Sequence, residues 1–162
     1  MANRVIARFR DGRLLRGTTI NFRPDATYCH IDPPDRPYGE GQRVEFTDLK
    51  AIFFVRDLRG NPFYKDRRSF VHPPGYGRCV RVKFRDGEEM LGIVHHVDRT
   101  KPGFFIFPSD PDSNNERVFA MFDFVTSIEY IEAGSLPAPE KGAAEPKAAP
   151  ETTAAPPTPP TT

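Results

Sequence analysis

Apolar and polar residues alternate with a period of two at two places in the chain. Val5, Ala7 and Phe9 alternate with Arg4, Arg8 and Arg10, and only Ile6 breaks the rule. Val80, Val82 and Phe84 alternate in the same way with Arg81, Lys83 and Arg85. Successive side chains of a strand point to opposite faces, so each run predicts a β-strand with one dry and one wet face. Asp11-Gly12 and Asp86-Gly87 follow directly, and Asp-Gly is the dipeptide of a type I′ hairpin turn. Second strands are expected over 13–22 and 88–97, with Gly17 and Gly92 inside them. A glycine within a strand permits a bend or a close backbone approach. Its recurrence predicts the bend that curls a short sheet. Third strands fall at 27–32 and 103–107, and fourth strands at 42–46 and 116–121. Single helical turns follow at 47–50 and 122–125, with Asp48 and Asp123 suited to cap them. Last strands run over 51–56 and 127–131, and no stretch has the period of a long amphipathic helix.

The two sets of elements are copies of one unit. Val80-Arg81-Val82-Lys83-Phe84-Arg85-Asp86-Gly87 repeats Val5-Ile6-Ala7-Arg8-Phe9-Arg10-Asp11-Gly12 at an offset of 75. Gly92 falls opposite Gly17, and Asp123-Phe124 matches Asp48-Leu49. Five short strands with one helical turn before the last describe a small SH3-like or Sm-like barrel. A unit of about 53 residues has a marginal core alone, and two packed copies relieve that. Phe104-Phe105-Ile106-Phe107 is apolar on both faces and is expected at the contact between them.

Composition changes the picture at the C-terminal end. Eight of the 18 prolines lie beyond residue 132, in a stretch with no aromatic residue and Leu136 as its one large aliphatic. It cannot bury enough apolar surface to offset its ordering entropy. The expected fold class is therefore all-β: two tandem five-stranded SH3-like/Sm-like barrels with a disordered Pro/Ala-rich C-terminal tail. The expected divisions are a first barrel at 1–57, a basic and aromatic connector at 58–78, a second barrel at 79–132 and the tail at 133–162. Residues 1–132 carry 17 Arg and 4 Lys against 19 acidic residues, and the whole chain has a net charge of +1. So nearly balanced a chain is not a strongly cationic polyanion binder. No apolar run is long enough to span a bilayer, and the N-terminus has no secretory h-region. A cytoplasmic protein without membrane contact is expected. Two cysteines make neither a disulfide framework nor a CxxC zinc site.

Phe9-Arg10-Asp11-Gly12-Arg13-Leu14-Leu15-Arg16-Gly17 resembles the first signature of Sm-like proteins. Residues 48–61, DLKAIFFVRDLRGN, resemble a motif of an uncharacterised bacterial family of small barrels, sometimes found beside signalling domains. The resemblance covers about residues 4–61, and 79–131 more weakly. It implies a fold and carries almost nothing about activity. Sm-like RNA binders place an Asp and an Asn in the loop after the second strand and an Arg-Gly before the fifth. Here the loop is Phe22-Arg23-Pro24-Asp25-Ala26, and the later position holds Asp48-Leu49-Lys50-Ala51. The uridine-binding residues do not carry over. The RxxxR and [DN]xSxxG segments of cyclic-dinucleotide receptors are absent as well.

No nucleophile elbow, Walker loop or GxGxxG motif is present. No enzyme activity and no cofactor are therefore expected. His95 and His96 are read as neighbours on a strand, pointing to opposite faces, as are Cys29 and His30, so no metal site is expected. The connector holds the candidate ligand-binding residues Arg56, Arg59, Tyr64, Lys65, Arg67 and Arg68, with Phe63 and Phe70 among them. Cations interleaved with aromatics suit phosphates and stacked bases. They equally suit a linker wrapped over the barrels. A second basic patch is the wet face of the first strands: Arg8, Arg10, Arg81, Lys83 and Arg85. The function expected is a non-enzymatic binding or regulatory adaptor that engages a protein or a phosphate-bearing ligand. The alternative is an Sm-like protein that binds RNA or single-stranded nucleic acid, weakly given the balanced charge.

Overall fold

A computed structural model of the chain describes residues 1–36, 39–64 and 76–132. These form ten strands: β1 (Asn3–Phe9), β2 (Leu14–Thr19), β3 (Tyr28–Ile31), β4 (Gln42–Glu45), β5 (Leu49–Val55), β6 (Arg78–Phe84), β7 (Glu89–Val94), β8 (Gly103–Pro108), β9 (Asn115–Met121) and β10 (Val125–Ile131). Short 3₁₀ turns at Phe46–Asp48 and Phe122–Phe124 precede the last strand of each repeat. The chain is all-β, as its period-two pattern requires. Among the described residues no helix is long and apolar enough to cross a membrane. The expected tail, and the connector from residue 65 to 75, lie outside the described residues.

Several local expectations change. The hairpins after β1 and β6 are not type I′, because among the described residues only glycines have positive φ. Each is a three-residue loop ending in a left-handed glycine, Gly12 at φ 94° and Gly87 at φ 88°. Phe9 N–H donates to the Arg13 carbonyl at 2.9 Å, and Phe84 N–H to the Glu88 carbonyl at 2.9 Å. Asp11 and Asp86 accept the amides of Arg13 and Glu88, at 3.0 and 3.1 Å, and this holds the loops shut. Asp48 and Asp123 do not cap the 3₁₀ turns. The cap positions are Glu45 and Met121, and neither makes a side-chain cap hydrogen bond. The repeat offset also slips from 75 to 76 before these turns. Arg10 N–H reaches the Asp48 carbonyl at 3.0 Å, and Arg85 N–H reaches the Phe124 carbonyl at 2.9 Å, so Asp48 corresponds to Phe124.

The expected pair of closed barrels is not what forms. Eight strands make one sheet in the order β10-β6-β7-β8-β9-β5-β1-β2, and β3-β4 make a second. Paired backbone amides of Thr18 and Asp32, at 3.0 and 2.8 Å, bridge β2 to β3. Gly17 allows this crossing, since a Cβ there would meet the Asp32 carbonyl oxygen at 2.3 Å. Within a repeat no ladder closes β4 onto β5 or β9 onto β10 among the described residues. Instead β5 of the first repeat pairs antiparallel with β9 of the second, Ala51 against Ala120, Ile52 against Phe119 and Phe53 against Val118.

This seam distributes the core. The first cluster holds Val5, Ala7, Ile31, Val44 and Phe54, and is completed by Phe119 and Met121 from the second repeat. The second holds Val80, Val82, Phe84 and Ile106, and is completed by Ala51 from the first. Phe105 packs across the same boundary, with ring centroids 5.0 Å from Phe119 and 6.0 Å from both Phe22 and Phe54. Lys50 crosses it in the other direction. Its side chain is 2% exposed and its ammonium donates to Asp86 Oδ2 at 2.6 Å and to Glu88. It also lies 4.7 Å from the centre of the Phe84 ring. Arg8 adds a 2.9 Å contact to Glu88. Burial raises the Asp86 carboxyl, but hydrogen bonds from Lys50 and from the Glu88 amide outweigh it and hold the pKa below 3.8.

Two predictions follow from the seam. Removing both acids, Asp86→Asn with Glu88→Gln, leaves a buried ammonium uncompensated and is expected to cost about 3 kcal/mol, whereas Lys50→Met, which removes the buried charge itself, is expected to be near neutral. A depressed carboxyl stabilises above its unfolded pKa, and the contribution is lost as pH falls through the folded value. Lys50→Met is therefore expected to flatten the loss of stability below about pH 4, read by urea unfolding across pH. Phe105 is half-buried, so Phe105→Asp is expected to lower stability by about 2 kcal/mol, somewhat less than a fully buried phenylalanine would cost; an unchanged thermal midpoint would disprove the packing role.

Candidate functional site

The connector begins as structural adhesive. Arg56 N–H donates to the Asn114 carbonyl at 2.9 Å, and the Arg4 guanidinium donates to the Arg56 carbonyl at 2.7 Å. Asn114 clamps Asp57 from both sides: its Oδ1 accepts the Asp57 amide at 3.0 Å and its Nδ2 donates to the Asp57 carbonyl at 2.9 Å. Arg59 sits in the turn that follows, its amide held by Asp57 Oδ1 at 2.9 Å, with Gly60 left-handed at φ 69°. The Tyr64 hydroxyl donates to Asp110 Oδ2 at 2.5 Å, and Asp110 is 2% exposed. These contacts tie 56–64 to the loop between β8 and β9. Arg56 and Arg59 keep exposed side chains there. Lys65, Arg67 and Arg68 lie outside the described residues.

The basic face of the first strands is largely neutralised in place. Arg81 lies 3.5 Å from Glu129 and 3.9 Å from Glu89. Lys83 lies 3.5 Å from Glu129 and 3.7 Å from Glu89. Arg10 lies 3.7 Å from Asp123, and Arg8 is engaged by Glu88. Cross-strand pairing of opposite charges is the ordinary stabilising use of such a face, and paired cations offer less to a phosphate.

The histidines change place. β7 ends at Val94, so His95 and His96 fall in the bend beyond it, where strand alternation no longer applies. Both line a half-open cleft of about 330 Å³. Phe105 and Phe107 of β8 form its apolar wall, Lys101 and Asp98 lie at its rim, and Pro24 reaches it from the first repeat. The cleft thus straddles the seam. His95 packs against two rings: Tyr76, stacked at 4.9 Å and 23°, and Phe107, tilted at 4.7 Å and 57°. Tyr76 is 76% exposed, so this stack faces solvent. Hydrogen bonds from the Thr100 hydroxyl and amide, against a smaller opposing effect of burial, hold the Asp98 carboxyl below 3.8, with Lys101 and His96 adding attraction. The rim therefore carries a fixed negative charge beside Lys101, which lies 3.7 Å away.

Such a cleft offers an apolar floor, a stacking surface and two polar signs at the rim, the elements of a small recognition site. Sequence reasoning named none of Tyr76, His95, Phe107 and Lys101 as ligand-binding residues. The one legible signal was the His95-His96 doublet just beyond an apolar run. Among the described residues no group of three or more His, Cys, Asp or Glu side chains is arranged to hold a metal ion. Cys29 and His30 do alternate as expected, Cys29 buried and His30 exposed.

Both thiols are free and buried. Burial pushes Cys29 up to about 11 against an opposing hydrogen bond with Thr19, and burial also raises Cys79. A buried protonated thiol is a poor nucleophile. Neither cysteine is expected to react with a thiol-specific reagent at pH 8 until denaturant is added, and rapid labelling of the native chain would contradict this.

The sequence pattern of a family described as "Family of unknown function (DUF6982)" matches residues 1–132, and the chain belongs to that family. Comparison with curated proteins and with solved structures found no match.

Proposed function

We propose that this member of a family without an assigned function is a non-enzymatic adaptor, which binds a protein segment at the cleft on the seam between its repeats. The observation that carries this reading is the cleft itself, lined by Phe105, Phe107, His95, Lys101 and Asp98, with the exposed Tyr76 ring stacked on His95 beside it. An apolar side chain on the floor and a polar or acidic neighbour at Lys101 would satisfy these groups together. The neutralised wet faces of β1 and β6 argue against a polyanion as principal ligand. We read each repeat as an open SH3-like or Sm-like unit, supported by the repeated strand order β5-β1-β2 and β10-β6-β7-β8-β9. A bacterial-type, cytoplasmic setting fits this reading.

One observation favours a second ligand class. The exposed Tyr76 ring beside His95 is a surface on which a base of single-stranded RNA could stack, with Lys101 near its phosphate. Two measurements separate the readings. A protein partner recovered by wild type is expected to be lost with His95→Ala and with Lys101→Glu, while the folded state of both variants persists by circular dichroism. Fluorescence anisotropy with labelled oligo-U, oligo-A and a duplex, at low and physiological salt, is expected to give weak and steeply salt-dependent binding. Sub-micromolar oligonucleotide binding at physiological salt, abolished by Arg67→Ala with Arg68→Ala, would replace the adaptor reading.

A further inference from the structure

The internal seam has a counterpart that the single chain leaves open. Across the repeat, β10 corresponds to β5 and β4 corresponds to β9. The equivalence can be checked residue by residue. Ile6 pairs with Phe53 in the first repeat, and its counterpart Arg81 pairs with Glu129 in the second. Cys29 pairs with Val44, and its counterpart Phe104 pairs with Ala120. Yet β10 has a ladder partner on one edge alone, β6, and β4 on one edge alone, β3, among the described residues. The two ends of the strand series are therefore the two halves of a junction that the molecule already makes once. An unpaired strand edge is a template for pairing with another chain.

We propose that a second copy of this chain occupies these edges, β10 of one copy pairing antiparallel with β4 of the next. The internal register fixes the expected one. Phe53 against Val118 becomes Glu129 against Gln42, and Ile52 against Phe119 becomes Ile128 against Arg43. The contact uses different surfaces on the two partners, so it is head-to-tail, and repeated addition gives a ring or a filament. It is also more polar than the seam. Arg43 stands where the internal junction has Phe119, and Glu45 where it has Met121, and the two are paired at 2.5 Å. On the other edge Ile128 is half-buried and Tyr130 is 46% exposed, leaving apolar surface that the Arg43 stem can cover. Backbone hydrogen bonds with a polar flank describe a reversible association rather than a permanent one. This inference stands apart from the cleft, which involves neither β4 nor β10.

The test reads mass first and register second. Sedimentation velocity of the unmodified full chain is expected to show a weight-average mass that rises with concentration beyond one chain. Two single variants, Glu129→Cys and Gln42→Cys, then report the pairing. Directly opposed residues in an antiparallel pair lie within disulfide reach, and the native thiols are buried. On mild oxidation a mixture of the two variants is expected to give a covalent dimer, at least tenfold more than either variant alone. A monomer at every concentration, or equal crosslinking by each variant alone, would overturn the proposal. The sedimentation result needs no variant, so it decides even where a substitution disturbs the fold.

Discussion

Backbone groups left open along β5 by one repeat are met by β9 of the other, and most of the architecture depends on that ladder. A unit of about 53 residues buries too little surface to fold with a comfortable margin. Among the described residues neither repeat closes on itself. Each lends side chains to its neighbour: Phe119 and Met121 complete one cluster, and Ala51 completes the other. The two repeats are therefore one cooperative object, and the eight-stranded sheet is the physical form of that dependence.

Electrostatics reinforce the same boundary. Lys50 is among the largest fully buried side chains, and both of its acidic partners come from the other repeat. A buried cation adds little net stability where its desolvation offsets the attraction, but an unpaired one is strongly unfavourable. The interaction thus penalises a misaligned seam more than it rewards a correct one. Asp86 and Glu88 occupy the hairpin that the sequence marks as a turn, so a turn in one repeat anchors the other. The same boundary builds the cleft, since Pro24 of the first repeat faces the aromatic wall of the second.

Legibility of the site followed the range of the interactions that make it. The connector was conspicuous because its cations and rings are close in sequence, yet the part at 56–64 is committed to Asn114 and Asp110, whose contacts span 57 and 46 residues of chain. The wet-face arginines were conspicuous for the same reason, and cross-strand acids absorb most of them. Tyr76, His95, Phe107 and Lys101 are scattered singly along the chain, and no local pattern joins them. His95 and His96 show how a local rule misleads: alternation holds inside a strand, and β7 ends at Val94, just before the pair.

The sequence by itself determined the strands, the hairpins, the repeat and the glycines at the crossings, because these rest on period-two burial and on the backbone freedom of particular residues. Those are short-range constraints, written within about ten residues of where they act. Tertiary structure alone decided which edges pair. Two strands with equivalent patterns present nearly the same backbone donors and acceptors, so closure within a repeat and exchange between repeats look alike in the sequence. The choice rests on the joint fit of Phe105, Phe119 and Lys50 against partners in the other copy, contacts that exist only once both repeats are folded together.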